Sequence, residues 1–116
     1  MTIWVLGAML ALGFLLIGAA KVLALPAMRQ RAMHLGFSVN AYRRIGLLEL
    51  AGAGGVLLGL AVPVIGVLAA VGLLLLLGGA LSAHVLHRDG LATAAPALIF
   101  GAVDAAYLGA TITLLH

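Results

Sequence analysis

Residues 64–86 read VIGVLAAVGLLLLLGGALSAHVL, a stretch whose only ionisable side chain is His84. The hydrocarbon core of a bilayer is about 30 Å thick, and an α-helix needs about 20 apolar residues to cross it. A run this long and this apolar therefore predicts a membrane-spanning helix. Lipid offers no hydrogen bonds to the backbone, and a helix satisfies the backbone of such a segment internally.

Three further stretches of the chain have the same character. Each is rich in Leu, Ala, Val and Gly, without the alternating pattern of about ten residues that is typical of a membrane β-barrel. Most connections between them are short, so neighbouring helices should run antiparallel. The sequence therefore predicts an all-α, integral membrane four-helix antiparallel bundle, a single transmembrane domain over residues 1–116 with spans at about 3–25, 42–62, 64–86 and 91–115.

The composition agrees with lipid as the solvent. Of the 116 residues, 66% are hydrophobic and 8% are charged, which is more apolar surface than a water-soluble core of this size could bury. The chain has no cysteine, which excludes disulfides, thiolate metal sites and thiol redox chemistry. The net charge of +3 comes from few residues, so a nucleic-acid partner is not predicted. No catalytic motif is recognisable, and the sequence predicts no particular reaction.

The connection over residues 26–44 is the long and basic one. Pro26 suits the first position of a helix. Met28, Ala32 and Leu35 are spaced as on one helical face, and the charged residues lie largely off that stripe. We expect a short helix in the membrane interface between spans one and two; the alternative is a solvated loop with incidental apolar residues.

The basic residues are distributed unevenly along the chain. The turn at 61–64 and the N-terminus carry none, whereas five of the six lie in or beside the connections after spans one and three. By the positive-inside rule, both of these connections face the cytoplasm. The sequence predicts a multi-pass protein of the cell membrane, an inner membrane in bacterial terms, with both termini outside. The five basic residues in or beside these two connections are Arg29, Arg31, Arg43, Arg44 and Arg88.

One ionisable residue interrupts each span: Lys21, Glu49, His84 and Asp104. A charge at bilayer depth costs roughly 2.5–3.5 kcal/mol on insertion scales, so each needs a reason. In the predicted topology the first three lie towards the cytoplasmic ends of their spans and should meet at one level, while Asp104 lies near mid-membrane. Their helical stripes carry mostly small residues, which is typical of faces that pack against other helices. We expect all four side chains to point into the bundle.

Several roles for these four residues remain open. In one, Lys21–Glu49 and His84–Asp104 are internal pairs that fix helix register. In another, all four form the polar floor of an intramembrane cavity and bind the head group of a small, mostly apolar ligand. A proton path through Glu49, His84 and Asp104 is a third. His84 and His87 lie one turn apart, but His87 is expected in the aqueous loop, so no metal site is predicted.

The chain also resembles the DoxX-like family of small four-helix membrane proteins. The resemblance covers nearly the whole chain, and it places Lys21, Glu49 and His84 at positions that recur in the family, whereas Asp104 is less clearly part of the pattern. It rests on GAAK at 18–21, LGFS at 35–38, IGLLELAG at 45–52, and GGA at 78–80 followed by His84.

This resemblance implies two functions. The family is named for its similarity to membrane subunits of a thiosulfate:quinone oxidoreductase, other members are linked to oxidative-stress complexes, and distant animal relatives look like assembly factors for membrane receptors. The first implied function is binding of a lipid-like or quinone-like molecule, as part of a membrane redox system. The second is that of a non-catalytic accessory or assembly subunit that packs against a partner membrane protein or a second copy. Without cysteine, electron transfer would require a bound quinone or a partner.

Overall fold

The computed structural model describes residues 2–115, apart from the side chain at position 92. These residues form an all-α protein, in which the described part of the chain contains no strand. A short helix, α2, connects the first two of four long ones, as predicted. The helices are α1 Thr2–Val22, α2 Pro26–His34, α3 Val39–Gly59, α4 Pro63–Leu86 and α5 Leu91–Thr113.

Three of the long helices are apolar enough to cross a membrane: Thr2–Val22, Pro63–Leu86 and Thr93–Thr113. The longest dimension of the molecule is 43 Å, which matches a bilayer of about 40–45 Å with its head-group regions. Helix α3 has 21 residues, the same length as α1. It is more polar because it contains two arginines near its start and Glu49. The apolar helices place the protein in a lipid bilayer.

Local sequence signals set the helix boundaries. Pro26 and Pro63 lie in the first turns of α2 and α4, where their missing N–H needs no partner. The Ser38 hydroxyl accepts a hydrogen bond of 3.0 Å from the backbone N–H of Ala41 and so caps α3. Gly36, just beyond α2, has a φ of 79°, a left-handed conformation that favours glycine at the end of a helix.

The four long helices form a ring, in which α1 and α4 each contact both α3 and α5. Glycines allow the closest crossings. A methyl group placed on Gly46 of α3 would lie 2.7 Å from the carbonyl oxygen of Gly18 in α1. One placed on Gly59 would lie 2.7 Å from the backbone nitrogen of Gly66 in α4. Small residues at these crossings let the backbones approach each other, as in many membrane bundles.

Some of the glycines have no such packing role. A methyl group on Gly78 or Gly79 would meet no atom within 4 Å, and both positions lie on the outward side of α4. The sequence pattern shows that a residue is small but does not show which neighbour it faces.

Helix α2 packs on the bundle through the predicted stripe. Met28 and Ala32 are buried and form a small cluster with Tyr42 of α3, against which Ala20 and Ile45 also pack. Tyr42 is 8% exposed. The stripe of α2 therefore faces protein.

Candidate functional site

Lys21 and Glu49 form an ion pair between α1 and α3. The Lys21 Nζ lies 2.7 Å from the Glu49 Oε1, and the two side chains are 12% and 7% exposed. The Lys21 Nζ also lies 4.7 Å from the centroid of the Tyr42 ring, within range of a cation–π interaction. One of the internal pairs considered from the sequence is therefore present.

The crossing of α1 and α3 explains why this pair can form. Gly18 and Gly46 bring the two backbones together one turn before Lys21 and Glu49 in their respective helices. A methyl group on Gly46 would lie 2.7 Å from the Lys21 Cβ, so the absence of a side chain there makes room for the lysine stem. The glycines thus position the two charges to neutralise each other inside the bundle.

Asp104 is fully buried in α5, with 0% of its surface exposed. Within residues 2–115, neither of its carboxyl oxygens has a hydrogen-bond partner. Phe100 and Tyr107 lie one turn before it and one turn after it. The Phe100 ring packs at 5.5 Å from that of Phe14 in α1. The Tyr107 hydroxyl donates a hydrogen bond of 2.9 Å to the Val56 carbonyl oxygen. Asp104 is thus a polar group within an apolar core.

The considered pairing of His84 with Asp104 is wrong, because His84 contacts Asp89 instead. The His84 Nδ1 lies 2.7 Å from one carboxylate oxygen of Asp89, and the His34 Nε2 lies 2.7 Å from the other. The pairing fails because the loop after α4 folds back, with the Asp89 N–H bonded to the His84 carbonyl oxygen at 2.9 Å. One carboxylate thereby connects α2, through His34, to the end of α4.

Sequence reasoning missed this three-residue link, although a signal was present. Asp89 is the one acidic residue outside the apolar spans, and it lies five residues from His84. The hydrogen bonds from His84 and His34 hold the pKa of the Asp89 carboxyl below its ordinary value. Its side chain is 8% exposed, so both imidazoles shield it from solvent. The second histidine, His34, lies in α2. The sequence did not indicate that α2 docks on the bundle and so brings His34 to Asp89.

The four predicted site residues therefore occupy three separate environments. Lys21 and Glu49 pair with each other, His84 pairs with Asp89, and Asp104 is alone. Among the described residues, no group of three or more histidine, aspartate and glutamate side chains is arranged to hold a metal ion. The His87 Nδ1 lies 2.8 Å from the Ala83 carbonyl oxygen, in the helix that precedes it.

Two depressions stand out on the described surface. A narrow crevice beside Lys21 and Tyr42 has no room for a water molecule. A groove of about 600 Å³ lies between α3 and α4 and is open to the lipid side. Neither is lined by Glu49, His84 or Asp104. Apolar residues line the larger one, among them Leu48, Gly52, Gly55, Ala69, Gly72 and Leu76.

Comparison with known proteins gave one informative result. No curated protein and no solved structure matched the chain. The DoxX-like family matches residues 5–107, which include all five helices at least in part and the four predicted site residues. The protein, with its apolar bundle and its paired Lys21 and Glu49, belongs to the DoxX-like family.

Proposed function

We propose that this protein binds the hydrogen-bonding head of a lipid-like or quinone-like molecule at Asp104, inside a four-span membrane bundle. The observation that carries the proposal is the fully buried Asp104 carboxyl, whose two oxygens have no partner in the described chain. Leaving a buried polar group unsatisfied costs about 1–3 kcal/mol, so such groups in native proteins call for an explanation.

The chemistry of a carboxyl group suits such a ligand. An isolated charge in an apolar core is very costly, so we expect Asp104 to be uncharged. An uncharged carboxyl can donate one hydrogen bond and accept others. It would complement a quinone carbonyl or the hydroxyl of a fatty alcohol. In this proposal Lys21, Glu49 and His84 act at a distance: the first two hold α1 on α3, and the third holds the loop that carries Asp89.

The seam between α1 and α5 offers a route from the lipid to Asp104. Among the four contacts between neighbouring long helices, this one is the least extensive. Gly13 of α1 lies directly against the Phe100 ring, one turn before Asp104. We expect the Phe100 side chain to move when a ligand enters, because it fills the contact between α1 and α5 one turn before Asp104.

The four spans of the proposal run antiparallel, with both termini outside. Contacts between α1 and α3 join Gly7 to Leu60 and Gly18 to Gly46, so residue numbers rise along one helix as they fall along the other. Glu49 would lie inside the membrane next to Lys21, whose positive charge compensates the negative charge of the glutamate. Arg43 and Arg44 lie near the start of α3. By the positive-inside rule, this end of the helix faces the cytoplasm.

Titration with a decyl-tailed benzoquinone tests the role of Asp104 directly. We expect the purified wild type to bind it saturably, Asp104→Leu to lose binding, and Asp104→Asn to retain part of it because an amide can still donate and accept. Asp89→Asn makes the same chemical change in a loop and should bind as the wild type does. Equal binding by the wild type and Asp104→Leu would refute the proposal.

A specific observation favours a second function, that of an accessory subunit. Gly101, Ala105 and Gly109 repeat at intervals of four along α5, and a methyl group on either glycine would meet no atom within 4 Å. Such a face suits close packing against a helix of a partner or of a second copy. If Gly109→Leu abolishes a crosslinked complex in native membranes while quinone binding is absent, the accessory function is favoured.

A further inference from the structure

We propose that the groove between α3 and α4 holds an acyl chain of an anionic phospholipid, with the lipid phosphate bound by Arg44. This site lies on the outside of the bundle and does not depend on a ligand at Asp104. The proposal rests on the shape of the groove, on its length relative to one leaflet, and on the charge at one end.

The groove has the volume and the lining for a hydrocarbon chain. It measures about 600 Å³, and every one of its lining residues is apolar. Its depth comes from small residues on both walls, including Gly52 and Gly55 on α3 and Gly72 on α4. A methyl group placed on Gly72 would meet no atom within 4 Å, so this position lies in open space.

The pairing of the two helices shows where the groove leads. Close approaches join Gly59 to Gly66, Gly55 to Ala69, and Gly52 to Leu73. Continuing this register by one turn brings Leu48 level with Leu76, and both line the groove. A further turn along α3 reaches Arg44, which lies level with Ala80 of α4 in this register. The end of the groove at Leu48 therefore lies one helical turn from Arg44.

The length of this path fits one leaflet of a bilayer. Arg44 and Gly55 are eleven residues apart in α3, which at about 1.5 Å per residue is roughly 16 Å. Half of a hydrocarbon core of about 30 Å is about 15 Å. A lipid with its phosphate at Arg44 would therefore place its acyl chain along the groove as far as Gly55 within its own leaflet, and the lining residue Ile65, level with Gly59, lies deeper.

The charge at this end of the groove favours an anionic head group. Arg44 is exposed and lies one turn before Leu48 on the same helical face. In the described chain the ion pairs involve Lys21, His34 and His84, and none involves Arg44. A guanidinium group binds phosphate through two parallel hydrogen bonds. A partner helix in the groove would not by itself complement this arginine, whereas anionic lipids of the cytoplasmic leaflet would.

Lipid binding to the purified full-length protein tests this inference, with dioleoyl phosphatidylglycerol and dioleoyl phosphatidylcholine as probes measured by native mass spectrometry. The wild type should prefer phosphatidylglycerol. Arg44→Gln should weaken that binding about fivefold, whereas the neighbouring Arg43→Gln, turned about 100° around the helix, should change it less than about twofold. Asp104→Asn should leave it unchanged, which separates this site from the proposed quinone site.

A second pair of variants tests whether the acyl chain lies in the groove. Gly72→Leu places a side chain in the groove and should lower binding of both lipids, and Ala51→Phe provides the same obstruction from α3. Gly54→Leu adds the same bulk at another open position, outside the groove, and should have no effect. Equal losses for Arg43→Gln and Arg44→Gln, or unchanged binding in both groove variants, would overturn the proposal. So would a wild-type dimer that Gly72→Leu converts to a monomer, since the groove would then hold a second copy.

Discussion

Two buried acids in this protein have opposite surroundings. Glu49 is 5% exposed and lies against the Lys21 ammonium, whereas Asp104 is 0% exposed and lies among apolar side chains. The sequence could indicate that both point inward, because their helical stripes carry small residues. It could not indicate their partners, because a stripe defines a face and not the neighbour that the face meets. That difference gives Glu49 a structural role and leaves Asp104 as the candidate for ligand binding.

At the residue scale, separating Lys21 from Glu49 should destabilise the bundle. Removing one partner leaves a buried charge uncompensated, which typically costs several kcal/mol. We expect Lys21→Met to lower the free energy of unfolding by about 3 kcal/mol, measured by denaturation in mixed detergent micelles. The double variant Lys21→Met/Glu49→Gln removes both charges and should recover most of that loss. Arg43→Met, at an exposed position, is the control and should have little effect. A double variant as unstable as the single one would contradict the ion-pair role.

At the element scale, the position of α2 depends on one loop residue. Asp89 accepts hydrogen bonds from His34 of α2 and from His84 at the end of α4. The sequence predicted α2 from its proline and its apolar stripe, and it predicted the long helices to within a few residues from their apolar length. It did not predict the Asp89 link, because the fold of the loop that returns Asp89 to His84 has no periodic signal.

The Asp89 link should depend on pH in a defined direction. The pKa of the Asp89 carboxyl is lowered in the folded protein. Folding therefore favours the ionised form of this carboxyl group. Its contribution to stability is complete above the ordinary pKa of 3.8 and is lost as the pH falls through the lower, folded value. The destabilisation caused by Asp89→Ala should therefore be present at pH 7 and shrink below pH ~4, as measured by thermal unfolding. Ser82→Ala removes a group that does not titrate, and its effect should stay constant. An Asp89→Ala effect that grows on acidification would contradict this assignment.

Three helices of the molecule have the composition of membrane spans. Helix α3 differs, because it depends on α1 to neutralise its buried Glu49. The polar residues of α3 lie at its start and at Glu49, which Lys21 of α1 neutralises. In the proposed topology α3 is the fourth span, and its Glu49 charge, paired across two helices, costs less than an isolated charge would. The family match over residues 5–107 covers all of α3.

The proposed topology can be tested by labelling single introduced cysteines. The chain has no cysteine of its own, so no native thiol must first be removed. Ala61→Cys lies in the exposed turn between α3 and α4, and Gln30→Cys lies on the exposed side of α2. In intact cells, a membrane-impermeant maleimide should label position 61 and should label position 30 only after permeabilisation. The unmodified chain provides the unlabelled control. Labelling of both positions in intact cells would rule out the crossing of α3 between them.

In the proposed function, a small molecule occupies the bundle at Asp104. The most direct test of this claim is solvent extraction and mass spectrometry of protein purified in mild detergent, comparing the wild type with Asp104→Leu at equal amounts of folded protein. We expect about one molecule of a lipid-like or quinone-like compound for each wild-type chain, since one carboxyl carries the site, and its loss in Asp104→Leu. Phospholipid bound at the outer groove should be recovered equally from both proteins. Recovery of no compound that distinguishes the two would contradict the claim.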